Sequence, residues 1–535
     1  MPRPQYIKSL PQEIGVVTSV FLAQFLTQSG VTMSLTPMNI VLEAFNATDN
    51  ASASVWFMGG YSLTVGTFIL ISGRLGDLFG LKKMFLFGWG WVATWSLICG
   101  FSAYVKSDKA VIFFIICRAF QGIGFAFALP CGLGLLGYMY ESGERKNVVF
   151  GIIGAGGPTG ATMGAVMAAV IAQLGWWPWC YWAMSITAVV AGTIGYISIP
   201  VLDLKKPKEI SDDYLAEDAK FRNLRIILSE VDILGSVTGV CGLVLFNFCW
   251  NQGPVTDWTA YVIVLLVVSV MLIVLFFWLE LKYVKNPLLH KSIFKVKIGL
   301  VLVCISLGWG SFGIWQYYFF NILLNFKHYT PISASITFLP LFCLGICAST
   351  LCSKIISKTR PSYIICFATI CFCCGDIMLS VTPIDQSYFR LLFGQMFLLA
   401  WGMDLSFPAA SIILSDYLPP HHQGMAGSLV STVVNYSVSL FLAIGSLVES
   451  EVKKKTDDEL YSIRQALHFA IGISGCGVIF SVVFVFLQKR DNDSGTKVGN
   501  SESSSIVYSD KTEEIEETPA AALETGAANL NNGMA

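Results

Sequence analysis

Fourteen stretches of this 535-residue chain are long and apolar enough to cross a bilayer, and that count limits its fold more than any other feature. A hydrocarbon core of ~30 Å takes roughly 20 residues of helix, and a helix satisfies its own backbone polar groups where water is absent. By that measure the spans cover residues 14–41, 54–73, 84–104, 110–139, 147–174, 177–201, 231–250, 258–281, 298–323, 331–352, 362–382, 388–415, 424–448 and 465–488. Composition agrees: 54% of residues are hydrophobic and 13% charged, about half the ~25% charge of an ordinary soluble protein. The expected class is an all-α polytopic membrane protein in contact with the lipid bilayer. Lys and Arg total 34 against 35 Asp and Glu, so nothing favours nucleic acid as a partner. Most of the 15 cysteines fall in apolar runs and none has zinc-ligand spacing, so they read as small packing residues. No metal or other cofactor is expected.

The first span is too long for a signal-peptide core and lacks a small-residue cleavage site, so it is expected to stay in the membrane. With the N-terminus in the cytosol, inside segments collect 25 Lys and Arg and outside loops 8, which selects N-in, C-in. The outside loop 449–464 holds three consecutive lysines, but five acidic residues beside them suggest a self-paired, solvated loop. The outward loop 42–53 carries two glycosylation sequons, at Asn46 and Asn50. From about residue 489 the chain turns polar and acidic, a composition that does not bury enough surface to fold alone.

Two segments look like an internal repeat. Gly124 and Pro130 in the fourth span, and Gly402 and Pro408 in the twelfth, are each six residues apart and place a kink at the same depth. If those spans correspond, the seventh and eighth are an insert. The expected organisation is then a cytosolic N-terminus (1–13), a six-helix half (14–201), a cytosolic loop (202–230), two inserted helices (231–281), a second loop (282–297), another six-helix half (298–488) and a disordered cytosolic tail (489–535).

After the second span comes Gly73-Arg74-Leu75-Gly76-Asp77-Leu78-Phe79-Gly80-Leu81-Lys82-Lys83. Glycine permits a tight turn between two helices, and Asp77 can pair with a basic group or a helix N-terminus. The segment resembles the signature of the major facilitator superfamily, G-x-L-x-D-x-x-G-x-[RK]-[RK], which implies two six-helix halves and a gating role for Gly73, Asp77, Gly80, Lys82 and Lys83. Arg118-Ala119-Phe120-Gln121-Gly122-Ile123-Gly124 is similar to that family's R-x-x-Q-G-x-G motif. A charge at mid-membrane costs ~2.5 to 3.5 kcal/mol on insertion scales, so Arg118 is a functional candidate. In the fifth span Gly157, Pro158 and Gly160 resemble the antiporter motif G-P-x-x-G-G, although Ala161 and Thr162 stand at its last two glycines. The whole stretch from about 14 to 488 resembles the fourteen-span drug:proton antiporters. Trp250-Asn251-Gln252-Gly253-Pro254 and Gln423-Gly424-Met425-Ala426-Gly427-Ser428-Leu429 look like the fungal branch of aminotriazole-resistance, boron-efflux and low-affinity ammonium transporters.

One departure matters for mechanism. Counting back from Pro37 puts Gln28 where the antiporters' first-span motif has an aspartate, and glutamine carries no exchangeable acid proton. Asp404, mid-span beside a proline, is the first replacement candidate, because removal from water favours a carboxyl's neutral form. Asp376 in the eleventh span is the second, whereas Asp232 reads as a helix start. Gln24, Gln28, Gln121 and Asn435 are candidate cavity residues. Gly132 to Gly137 spells G-x-G-x-x-G, but inside a span it is packing glycine and not a dinucleotide site. The expected function is a monomeric, non-enzymatic secondary transporter of the plasma membrane, exporting small toxic solutes against protons by alternating access. The vacuolar membrane is the alternative location; a low-affinity ammonium or small-solute facilitator and a non-transporting sensor are the alternative functions.

Overall fold

A computed structural model describes residues 6–505 apart from 49–50, 108, 142, 201–231, 284–287, 289–292, 294, 357–358 and 418–422. Within them fourteen helices are long and apolar enough to span a membrane. The first six are Leu10–Thr32, Ala53–Gly76, Leu81–Tyr104, Ala110–Met139, Glu144–Leu174 and Trp179–Ser198. The seventh and eighth are Leu234–Gln252 and Ala260–Lys282, and the last six are Val296–Phe326, Pro331–Leu351, Pro361–Ser380, Leu391–Ser415, Gly427–Thr456 and Glu459–Lys489. The chain divides into two compact units, Met1–Val485 and Phe486–Ala535. The bundle is the first; in the second, the backbone is helical to Ser505.

Three boundaries differ from the hydropathy reading. The first span is not one run to residue 41: its helix ends at Thr32, turns, and resumes as a short helix, Met38–Ala44, after Pro37, which offers no N–H to a helical ladder. The outside loop expected at 449–464 is almost wholly helix, because the thirteenth helix continues to Thr456 and the fourteenth starts at Glu459. Its charges do pair, Lys453 with Glu459 at 2.9 Å and Lys454 with Glu451 at 3.0 Å, but Lys454 also reaches Asp257 at 2.6 Å and Glu449 is buried. Helix also persists beyond residue 489 to Ser505, because the local backbone continues its ladder through a polar sequence; residues 506–535 lie outside the described residues, as does the loop 202–230.

The contacts repeat. In the first six spans the fourth packs on the second and third and the first on the fifth; in the last six the twelfth packs on the tenth and eleventh and the ninth on the thirteenth. The paired glycines obey the same rule. A Cβ on Gly124 would meet Val92 of the third span, and one on Gly402 would meet Phe372 of the eleventh. Between the two sets, the second span lies along the thirteenth and the fifth along the tenth. The seventh touches both the second and the thirteenth, while the eighth packs chiefly on the seventh and has only 17% of its apolar window buried, so it faces lipid. Asp232 caps the seventh helix, its carboxylate accepting from Gly235 N at 3.0 Å.

Candidate functional site

Two small-residue seams bring the helices together. Along the second span Gly59, Gly66 and Gly73 recur every seven residues and face the thirteenth. Ser439 Oγ donates to Gly59 O at 2.8 Å, a Cβ on Gly66 would lie 2.7 Å from Tyr436 N, and one on Gly73 would lie 3.7 Å from Ser428 Oγ. Asn435 takes part in this seam, donating to Ser431 O at 2.9 Å with its Cβ against Gly66. The fifth span uses Gly156, Gly160 and Gly164 against the first. Ser29 Oγ donates to Gly160 O at 2.8 Å and Thr32 Oγ1 to Ala161 O at 2.7 Å, and a Cβ on Gly160 would collide with the Phe25 backbone. With lipid tails as apolar as the side chains, such close backbone approach and hydroxyl-to-carbonyl bonds are what join helices in a membrane.

Where the fifth and tenth spans cross, the sequence-flagged residues converge. A Cβ on Gly345 of the tenth span would lie 2.9 Å from Pro158 Cγ and 3.1 Å from Asp404 Oδ2, so Pro158 and the Asp404 carboxyl flank one bare stretch of backbone. Ser349 of the same tenth span stands beside the Asp404 carboxyl. Asp404 Oδ2 is buried without a hydrogen-bond partner, and among the described residues it has no ion pair. At the preceding residue, Gln24 Nε2 would stand 3.4 Å from a Cβ on Gly157, and Gln28 lies one turn further along the first span, partly exposed. Gln24 thus lies against Gly157, and the adjacent Pro158 meets Gly345 and Asp404 at the junction of the two sets of six. Gly345 and Ser349 had no flag in the sequence: they stand in a plain apolar run with neither charge nor motif.

Arg118 is fully buried elsewhere, inside the first six spans. It donates to Gly30 O, to Phe57 O at 3.4 Å, to Ser34 Oγ at 3.4 Å and to Gln121 Oε1, and lies over the Tyr61 ring at 4.6 Å. No carboxylate shares this nest among the described residues; backbone carbonyls and an aromatic face hold the charge. Gln121, a candidate cavity residue by sequence, lies beside it. It is fully buried, and beyond Arg118 its Nε2 donates to Ser96 Oγ at 2.6 Å, so its amide positions the arginine. Asp376 is likewise enclosed, accepting from Ser474 Oγ at 2.9 Å within the last six spans and away from Pro158.

The signature loop closes in one residue. Gly80 has φ of +97°, a conformation that favours glycine, and lets the third span start at Leu81. Lys82 donates to Tyr196 O at 3.0 Å and to Ile199 O, capping the end of the sixth helix, while Lys83 is exposed. Asp77 belongs to the second helix; its side chain lies outside the described residues. At the same end Arg145 Nε donates to Glu13 Oε1 at 2.8 Å, and Tyr140 OH joins that oxygen at 2.9 Å, a buried junction the sequence did not announce. Asn46 is exposed at the end of its short helix, and Asn50 lies outside the described residues.

Residues 20–255 match the Major Facilitator Superfamily. The chain is 42% identical over 480 residues to the low affinity ammonium transporter of Saccharomyces cerevisiae, with 90% of each chain covered. It is 41% identical to the aminotriazole resistance protein of the same yeast, covering 90% of this chain and 85% of that one, and 35% identical to the efflux pump terJ of Aspergillus terreus, covering 91% and 90%. In fold it resembles the crystal structure of a peptide transporter, POT, at a TM-score of 0.60 and 12% identity, over 90% of this chain and 99% of that one.

Proposed function

As a member of the major facilitator superfamily this chain is a multi-pass membrane transporter, and we propose that it exports a small toxic solute, of aminotriazole or boron type, in exchange for protons. The observation that carries the reading is the lone carboxyl of Asp404, placed where the fifth and tenth spans cross and faced by no cation among the described residues. An ionised carboxylate there would be buried without a counter-charge, so binding a proton favours the closed crossing and losing it favours separation. Proton occupancy of one carboxyl then biases the rocking of the two halves, which is the coupling that exchange requires. Gln24 and Gln28, neutral hydrogen-bonding groups beside the same crossing, offer contacts to a polar solute. A proton crossing 100 mV contributes about 2.3 kcal/mol, sufficient to expel a solute against its gradient.

The distribution of basic residues supports cytosolic termini and an outward-facing loop at 42–53. We place the protein in the plasma membrane as a monomer. The second reading, low-affinity movement of ammonium or another small solute down its gradient, is favoured by Gln28 at the first-span acid position and by the yeast ammonium relative. Efflux of aminotriazole, borate and methylammonium from cells with and without the protein separates the two. Export that stops when an uncoupler collapses the proton gradient, and that Asp404→Asn removes, supports exchange; transport indifferent to both excludes it.

A further inference from the structure

At the end of the bundle carrying the short helix Met38–Ala44 and the turn 327–330, hydrogen bonds join the two halves. Asn39 Nδ2 donates to Asn325 Oδ1 at 2.7 Å, Gln173 Oε1 accepts from Ile332 N at 2.9 Å, and the hydroxyls of Ser54 and Tyr317 are 2.6 Å apart. On the topology proposed above, which this inference rests on, that end is the outer one, closed here. Next to Tyr317 in the ninth span, Tyr318 OH donates to Glu449 Oε2 at 2.6 Å. Glu449 is 8% exposed and both tyrosines are buried, so the carboxyl is held behind the closed gate and not in the solvated loop that its sequence neighbours suggested. The groups around it are Tyr317 and Tyr318 of the ninth span, Lys453 one turn along its own helix, and Glu459 at the start of the fourteenth. Lys453 is engaged with Glu459 at 2.9 Å, which leaves the Tyr318 hydroxyl as the direct donor to Glu449 among the described residues.

We propose that Glu449 is a second proton-binding carboxyl, positioned at the outer gate, and that its charge controls whether that gate stays shut. Ionised, it accepts a charge-assisted bond from Tyr318 and fixes the ninth span so that Tyr317 meets Ser54. When a proton from the outer solution binds its carboxylate oxygen, the bond becomes a neutral one of about half the strength, the ninth span is released, and the Tyr317–Ser54 contact opens. Loss of that proton to the outer solution restores the lock. External acid thus opens the gate toward the side that supplies protons, before Asp404 is reached. Glu449 acts through Tyr318 and is a positioning residue, with no contact to solute required.

The test is the width of the outer gate as a function of pH, measured by electron–electron spin distances on the full chain in nanodiscs. Labels at Thr48→Cys and His328→Cys report the two halves, in a background where the exposed Cys241, Cys343, Cys347 and Cys476 are replaced by alanine. Lowering the pH from 7.5 to 5 is expected to raise the ratio of long to short distances roughly fivefold, the factor between charged and neutral hydrogen bonds. Glu449→Gln and Tyr318→Phe should each hold the long-distance fraction high at every pH, and Glu449→Asp should restore the response. A wild-type-like pH response in Glu449→Gln, or in Tyr318→Phe should the former fail to fold, overturns the inference. Failure of the functional reading looks different: gating stays pH-dependent and Glu449-dependent while solute flux ignores the proton gradient.

Discussion

The crossing of the fifth and tenth spans is most sharply tested by adding one methyl group to it. In Gly345→Ala the new Cβ would sit 2.9 Å from Pro158 Cγ, closer still to Pro158 Cβ, and 3.1 Å from Asp404 Oδ2. Proline is rigid, and two residues further on Gly160 is already packed on the Phe25 backbone, so the methyl is accommodated by moving the fifth and tenth spans apart. Overpacking of this kind costs ~1–3 kcal/mol, which is a shift of about 5- to 150-fold in the population of the closed crossing. Gly475→Ala, in the fourteenth span with nothing within 4 Å of its Cβ, serves as the control and should be neutral or slightly stabilising. Solute transport by the two variants is measured in proteoliposomes at equal protein content, with thermal unfolding in detergent alongside. Gly345→Ala is expected to slow transport at least fivefold while Gly475→Ala stays near wild type. Wild-type transport and unfolding in Gly345→Ala would refute the packing described at Pro158 and with it the placement of Asp404 in a moving joint.

Three further outcomes follow from the same contacts. Gln121→Leu removes an acceptor from Arg118 and the partner of Ser96 in one step; stranding buried polar groups costs ~1–3 kcal/mol each, so a clear fall in the unfolding temperature is expected without any change in solute selectivity. Glu13→Gln keeps the shape of the Arg145 and Tyr140 junction but removes its charge, and the purified protein should unfold at a lower temperature than wild type, with little dependence on salt because the carboxylate is buried. Lys82→Met takes away the cation at the end of the sixth helix, an effect of under about 1 kcal/mol; its folded yield should therefore stay near wild type, and a collapse in yield would show that Lys82 does more than cap Tyr196 and Ile199.

Hydropathy located all fourteen spans because the bilayer imposes one length on every crossing, and the Gly124–Pro130 and Gly402–Pro408 pair disclosed the repeat because both copies need bare backbone at the same helix contact. Asp404 and Arg118 stood out because charge inside a membrane is rare. Other features had no such contrast. Gly345 and Ser349 matter only through what faces them, and facing partners come from distant parts of the chain. Gln121 reads as a cavity residue because a polar residue in a span suggests exposure to solute; in the structure it is buried and bonded to Arg118 and Ser96. Glu449 reads as part of a solvated loop because five acids and three lysines lie together; a helix that runs on to Thr456 turns one of those acids inward. In each case sequence type was readable and side-chain direction was not.

The account's central claim is that solute and protons are exchanged through the crossing that holds Asp404. Proteoliposomes enclosing a pH-sensitive dye allow proton movement to be followed while a transported solute is added outside, and exchange of labelled for unlabelled solute to be measured in parallel at equal concentrations. The account predicts solute-driven proton movement opposite to the solute in the wild-type protein, and its loss in Asp404→Asn with solute exchange preserved. Undiminished solute-driven proton movement in Asp404→Asn, or active solute transport by the wild type with no proton movement at all, would contradict it.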